Sequence, residues 1–154
     1  MEMPKISPVK IETKGKGVFK RAWIWLRTTR KWKFEEDWIL DLPDMDRVFI
    51  PKGFIFDGAS IPKMLWPVIS PTGTLFIPAI IHDFGYKYDA IWWLIGDSPH
   101  IARYQGRKYF DRLFLLIADE INGMAALNKT AYIALRMFGF IAWDKHRKNC
   151  RKNV

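Results

Sequence analysis

The sequence is poor in cysteine and has no long apolar run, and both absences exclude classes of protein. Its single cysteine, Cys150, cannot form a disulfide within the chain, so nothing in it requires an oxidising compartment. One cysteine also excludes a zinc site of the cysteine-rich type. The longest apolar segment, 130–143, contains Arg136 and is shorter than the ~20 residues that a transmembrane helix needs. The first ten residues lack the apolar core of a signal peptide, so we expect a protein made in a cytoplasm, without a transmembrane segment.

What the chain does have is positive charge and aromatic side chains. Its 154 residues carry a net charge of +9, and 16% of them are aromatic. Basic proteins favour anionic partners, and aromatic residues fill cores but also anchor interfaces. The plainer interpretation is a protein whose lysines are simply solvated. The basic tail, 145–154, is compatible with nucleic acid, but no nucleic-acid-binding motif accompanies it.

The order of the predicted elements indicates an α+β fold. Aromatic and β-branched runs predict strands over 17–29, 32–42 and 47–56, with a bend or an edge position at Pro51 and Gly53. Helical spacing predicts helices over 75–90, over 107–124 and from Asn128 or Thr130 onward. Segment 91–106 is ambiguous, either a flap or packed structure. We therefore expect a small N-terminal antiparallel sheet followed by a helical C-terminal half.

This organisation corresponds to one domain with two end segments. The length of the chain suits a single hydrophobic core. We expect residues 1–16 to be a flexible N-terminal segment, 17–144 the single α+β domain and 145–154 a basic C-terminal tail.

The most informative motif is His82-Asp83-x-x-Tyr86, within an apolar segment. On a helix, His82 and Tyr86 share a face, and Asp83 lies about 100° away. Ionisable groups beside a buried stripe are costly unless they have partners. Two interpretations follow and remain open on these residues: an active site, or a buried network that fixes the fold.

Two further carboxylates, together with Asp83 of the motif, are candidates for the same site. Asp111 lies one position off the apolar stripe of its helix, so it could reach His82 and orient it as a general base for water. Alternatively, it pairs at the surface with Arg107 or Arg112. Asp57 and Asp83 could together hold Ca²⁺ or another divalent metal, which prefers oxygen ligands. The alternative for Asp57 is a turn residue in Asp-Gly.

A longer combined signature runs along the chain and consists of 50–62, Leu65-Trp66, Pro71-Thr72-Gly73, 79–86, Asp111 with Phe114, and Arg136 with Gly139. This signature resembles the family called domain of unknown function 1353, whose members occur mostly in tailed phages and prophages. The resemblance covers roughly 18–143. Gly85 departs from the family, which has a larger apolar residue there, so we expect a looser helix beside the site. The resemblance implies a phage protein made in the host cytoplasm, and a place in the virion.

A shorter resemblance links the motif to secreted phospholipase A2 enzymes. It implies that His82 is the catalytic base, Asp111 its orienting group, Tyr86 a support for Asp111, and Asp83 a calcium ligand. The glycine-rich calcium loop and the disulfides of those enzymes are missing here.

Two functions are therefore expected. One is a virion, tail or host-interaction protein whose partners are phage structural proteins or the anionic host envelope. The other is a phage hydrolase, phospholipase-like or directed at the cell envelope, that uses water activated by His82 and Asp111, with or without a metal.

Overall fold

The computed structural model of the chain describes residues 3–10, 17–19, 31–42, 45–56, 73–96 and 98–152. Within these ranges the chain forms two antiparallel sheets and three long helices, so the expected α+β fold class is confirmed. The strands are β1 (Ile6–Pro8), β2 (Trp32–Phe34), β3 (Trp38–Leu42), β4 (Met45–Ile50), β5 (Ile55–Phe56), β6 (Ala90–Ile95) and β7 (Ser98–Arg103). The helices are α1 (Phe76–Tyr88), α2 (Arg107–Asn122) and α3 (Ala125–Lys152).

Each of the segments 32–42 and 47–56, predicted as one strand, contributes one strand to each of the two sheets. One sheet has the order β1-β2-β5 and the other β3-β4-β6-β7, and neighbouring strands in both are antiparallel. Side chains alternate along β3, where Trp38 and Leu40 are buried while Ile39 is exposed, as expected of a strand with one face on the core. β7 is an edge strand and mostly exposed, a position that tolerates Pro99.

Helix α1 is the central element of the helical layer. Nine of its residues are buried, which makes it apolar almost all round, as a helix enclosed by other elements is. Pro78 falls in its first turn, where the missing N–H would have no helical partner. α1 packs against both α2 and α3, and also against β5 and β6. The buried ionisable groups of α1, which are His82, Asp83 and Tyr86, therefore have to find their partners inside the protein.

Asp89 and Arg147 fix the C-terminal end of α1. The Asp89 carboxylate accepts a hydrogen bond from the Gly106 N–H at 2.9 Å, which ties the end of α1 to the start of α2. The Arg147 guanidinium donates to the carbonyls of Tyr86 and Lys87, at 2.7 and 2.8 Å, and so satisfies orphan acceptors of the last turn. Together these contacts set the axial position of α1 relative to α2 and α3.

The helix predictions are close to the structure, and the last helix needs one correction. The predicted helices at 75–90 and 107–124 correspond to α1 and α2. α3 begins at Ala125, before Asn128, and Asn128 is a buried residue inside it. The Asn128 amide donates to Asp119 and Asn122, at 2.7 and 2.8 Å, so it joins α3 to α2 instead of starting a helix.

The strand predictions are less complete. The stretch 32–42 bends at Glu35 and Glu36 and supplies a strand to each sheet, and 47–56 likewise divides at the turn around Pro51 and Gly53. The ambiguous 91–106 is largely a β-hairpin. The predicted strand 17–29 lies almost wholly outside the described residues, and at Val18 and Phe19 the backbone is helical.

The proposed end segments contain regular structure. Ile6–Pro8 pairs with β2, and residues 145–152 continue α3. The division into one domain and two end segments stays a prediction. None of the helices in the described ranges is long and apolar enough to cross a membrane.

Candidate functional site

The helical motif places His82 and Tyr86 on the face of α1 that meets α2 and α3. The two residues are one turn apart, and their rings lie 3.9 Å apart between centroids. The His82 ring also contacts the ring of Phe114 on α2, edge to face at 5.8 Å. His82 is only 2% exposed, so the imidazole is enclosed by aromatic side chains.

Asp111 is the centre of the site, and groups from all three helices converge on it. Its Oδ1 lies 3.0 Å from His82 Nε2 and accepts the Tyr86 hydroxyl at 2.5 Å. Its Oδ2 accepts a hydrogen bond from Arg136 Nη1 at 2.7 Å, and Arg107 Nη1 lies 3.5 Å from the same oxygen. The predicted contact between Asp111 and His82 is confirmed. The alternative, a surface pair with Arg107 or Arg112, is wrong about the location, because Asp111 has 0% of its surface exposed, but the ion pair with Arg107 is present.

These contacts decide which groups are charged. Burial alone would raise the pKa of Asp111, but hydrogen bonds from His82, Tyr86 and Arg136 outweigh it and hold that pKa below its usual value. Burial and the bond to Asp111 hold the pKa of Tyr86 well above its usual value, so its hydroxyl stays protonated. The hydrogen bond to Asp111 raises the pKa of Arg136. The site is therefore a buried carboxylate paired with a guanidinium and further stabilised by a phenol.

The same reasoning assigns the protonation state of His82. Burial lowers its pKa below the ordinary value, although the neighbouring Asp111 acts in the opposite direction. An ionised carboxylate only accepts hydrogen bonds, so the hydrogen of the neutral ring lies on Nε2. The lone pair is then on Nδ1. This is the tautomer of a general base, and equally that of a histidine that only donates to a buried acid.

Two glycines allow the helices to approach closely at this site. A Cβ on Gly139 of α3 would overlap the Tyr86 hydroxyl, and a Cβ on Gly85 of α1 would overlap the ring of Phe110 on α2. Gly85 therefore does not simply loosen α1, as its low helix propensity predicts, because it also makes room for the Phe110 ring.

Comparison with known proteins identifies the family. A family model described as Protein of unknown function (DUF1353) matches residues 32–135, which include His82 and Asp111. The chain belongs to this family. No curated protein and no solved structure matches it. The DUF1353 match thus confirms the first resemblance, while the phospholipase resemblance stays a hypothesis.

In this DUF1353 chain, Asp83 lies apart from the His82 site. It lies on an adjacent face of α1, consistent with the 100° step, and it is buried. It lines a pocket of about 250 Å³ whose other walls include Lys31, Phe54, Ile55, Phe56, Lys87 and His146. Two lysines beside Asp83 make this pocket an unfavourable environment for a divalent cation.

The predicted metal site is not supported by a cluster of ligands. In the parts of the chain that the structure describes, no group of three or more His, Cys, Asp or Glu side chains is placed to hold a metal ion. Asp57, the second predicted ligand, lies outside the described residues. A role for Asp57 and Asp83 in binding Ca²⁺ stays a prediction, as do catalytic roles for His82, Tyr86 and Asp111.

Sequence reasoning did not anticipate the role of Arg136, although a signal was present. Arg136 is the one charged residue in the apolar segment 130–143, which predicts a buried partner for it. It also stands with Gly139 in the Arg-x-x-Gly pattern on which the sequence resemblance rests in part, just beyond the residues that the family model matches. The structure gives that pattern a physical reason: Arg136 binds the Asp111 carboxylate, and Gly139 leaves space for the hydroxyl that binds the same carboxylate.

Proposed function

We propose that this chain is a non-enzymatic phage or prophage protein that works by binding, either as a virion or tail component or as a host-interaction factor. The complete burial of Asp111 on α2, with donors from α1 and α3 on its two oxygens, carries this proposal. The phage setting rests on the family resemblance.

The burial of His82 supports the same proposal. A general base must come within about 3 Å of the proton that it removes, directly or through one water. His82 is 2% exposed, and its Nε2 is already directed at Asp111. Buried polar networks of this kind can select one arrangement of packed helices, since any other leaves a charge without a partner. We infer that the network fixes the registry of α1, α2 and α3.

Measurements on the phage and on the purified chain test the proposal. Mass spectrometry of purified particles should find the chain in the virion, or a deletion should reduce host adsorption or takeover. His82→Gln should lower the melting temperature, and the wild type should not turn over phospholipid, ester or amide substrates with or without Ca²⁺. Turnover that His82→Gln abolishes at unchanged melting temperature would overturn the proposal.

A second candidate, a hydrolase, is favoured by one observation. The neutral His82 tautomer held by Asp111, with Tyr86 on the same carboxylate oxygen, is an oriented base of the kind that activates water. Its substrate would be a lipid or another cell-envelope ester or amide. An NMR titration decides between the two: a base open to substrate gives a His82 pKa that moves when Ca²⁺ or a phospholipid analogue is added, whereas a sealed network gives no response to either.

A further inference from the structure

The outward face of α3 carries large apolar side chains that are exposed in the described part of the chain. Ile133, Met137, Phe140 and Ile141 are between 49% and 61% exposed. Their spacing of i, i+4, i+7 and i+8 places them in one row, which we call the outer stripe. Phe138, at 44% exposed, widens it on one side. Isolated exposed apolar residues are ordinary, but a contiguous row is a sign of a binding surface.

Lysines border the outer stripe at both ends, with one acid, Asp144, beside them at the C-terminal end. Lys129 precedes Ile133 by one turn, and Lys145 and Lys148 follow Ile141; all three are exposed. Helix α3 contains seven Lys and Arg residues and one acid, Asp144. The surface is therefore complementary to a partner that is apolar within and anionic at its edge.

The same lysines argue against a second copy of the chain as the partner. Two α3 helices packed antiparallel about Met137 would set Lys129 of one copy against Lys145 of the other. Parallel packing would set each lysine against its own equivalent. Both arrangements bring lysines together beside an apolar contact, where repulsion is least screened, and in the antiparallel case only Asp144, which would lie near Lys129 of the other copy, offsets part of it.

The size of the stripe does not require a protein partner. Its five half-exposed side chains offer on the order of 500 Å² of apolar surface. A stable protein interface buries ~800 Å² on each partner and a little over half of that is apolar, so a protein would need polar contacts around the stripe as well. A lipid surface has no such minimum, because apolar insertion and attraction to anionic headgroups add to each other.

We propose that the outer stripe docks α3 on the surface of an anionic membrane, with its apolar side chains below the headgroups and Lys129, Lys145 and Lys148 among the lipid phosphates. This inference rests on the proposed binding function. It names an anionic membrane as the partner if the chain is a host-interaction factor. Lysine side chains suit this arrangement because their apolar stems can extend along the buried edge while the ammonium groups remain in water.

Vesicle flotation with matched variants tests the proposal. The full chain is mixed with vesicles of phosphatidylglycerol and phosphatidylcholine in equal parts, and with vesicles of phosphatidylcholine alone. Met137→Asp is compared with Leu116→Asp on α2, because these residues are 60% and 58% exposed and both changes add the same charge. We expect binding to the anionic vesicles only, weakened about tenfold or more by Met137→Asp and little by Leu116→Asp.

Three results would overturn the membrane proposal. They are the absence of wild-type binding, equal losses in the two variants, and a Met137-dependent dimer in sedimentation velocity with vesicle binding unaffected by Met137→Asp. The wild type could fail to bind vesicles and yet be found in purified particles, with no His82-dependent turnover. In that case the proposed binding function would stand, and only the membrane would be excluded as its partner.

Discussion

The inner and outer faces of α3 reverse the usual distribution of polar and apolar groups. On the inner face, Arg136 binds a carboxylate that has no exposed surface, whereas on the outer face Met137 and its apolar neighbours are exposed. The difference shows that available partners, more than residue type, decide what this helix buries. The Asp111 carboxylate is tolerated inside because donors surround it. The outer stripe has no such cover within the described chain, and the membrane proposed above would supply it.

The largest expected effect is the loss of the inner network. Asp111→Asn removes the charge that Arg136, His82 and Tyr86 stabilise, and leaves the guanidinium beside a neutral amide. We expect the free energy of unfolding, measured by urea denaturation, to fall by about 3–5 kcal/mol. Asp144→Asn on the exposed side of α3 is the control and should change it by less than ~0.5 kcal/mol. Equal losses of unfolding free energy in the two variants would contradict the difference described between the inner and outer faces of α3.

A smaller effect is expected where α3 touches α1. Gly139→Ala introduces a Cβ that overlaps the Tyr86 hydroxyl, which should cost about 1–3 kcal/mol, partly offset by the better helix propensity of alanine. In a Tyr86→Phe background this cost should largely disappear, because the overlapping oxygen is gone. A double-mutant cycle measures the coupling.

Gly85→Ala is the matched control for that cycle. Its new Cβ meets the ring of Phe110 and not Tyr86, so its cost should be the same in the wild type and in the Tyr86→Phe background. If Gly139→Ala and Tyr86→Phe prove additive, the close contact between α1 and α3 does not govern stability.

The network should also make stability fall in acid. The folded pKa of His82 lies below its ordinary value of 6.5, so the unfolded chain takes up a proton first. The stabilisation is complete above pH 6.5 and is lost as the pH falls toward the folded pKa, by at most ~1.4 kcal/mol per pH unit. Asp111, whose pKa is also lowered, acts in the same direction below its ordinary value of 3.8.

Urea denaturation between about pH 7.5 and about pH 4.5 measures this slope. His82→Gln should remove the part of the slope that begins near pH 6.5, since glutamine does not titrate. His100→Gln, on the exposed strand β7, is the control and should leave the slope unchanged. A slope that survives His82→Gln unchanged would assign the acid sensitivity to other groups.

The smallest expected effect is on the outer face. Met137→Ser should change the free energy of unfolding by no more than ~0.5 kcal/mol, because the side chain is largely solvated in the folded chain. Thermal melting without lipid checks this. A large destabilisation would mean that the outer stripe is covered within the protein, and the contrast between the faces would disappear.

Local patterns predicted the helices and the central contact of the site. The apolar spacing of α1 and α2 located both helices, and the placement of Asp111 beside its apolar stripe anticipated the bond to His82. Such features depend on neighbours three or four residues apart, which a sequence displays directly.

Long-range pairing explains what the sequence did not reveal. The run at Trp92 and Trp93 is compatible with strand, helix or loop until β4 and β7 are known to flank it. The bend at Glu35 and Glu36 contains neither Gly nor Pro, the usual markers of a break. Arg136 is 25 residues from Asp111, and Arg147 is 61 from Tyr86, so only the packed helices bring these groups together.

The sharing of one carboxylate by three helices has a consequence for how the molecule opens. Neither α1 nor α3 can separate from α2 without taking its donors away from Asp111 in the interior. Local fraying is therefore suppressed around the network, and the backbone amides near His82, Asp111 and Arg136 should exchange with solvent deuterium together, as one cooperative unit. The edge strand β7 lacks such a tie and should exchange through separate, low-energy openings.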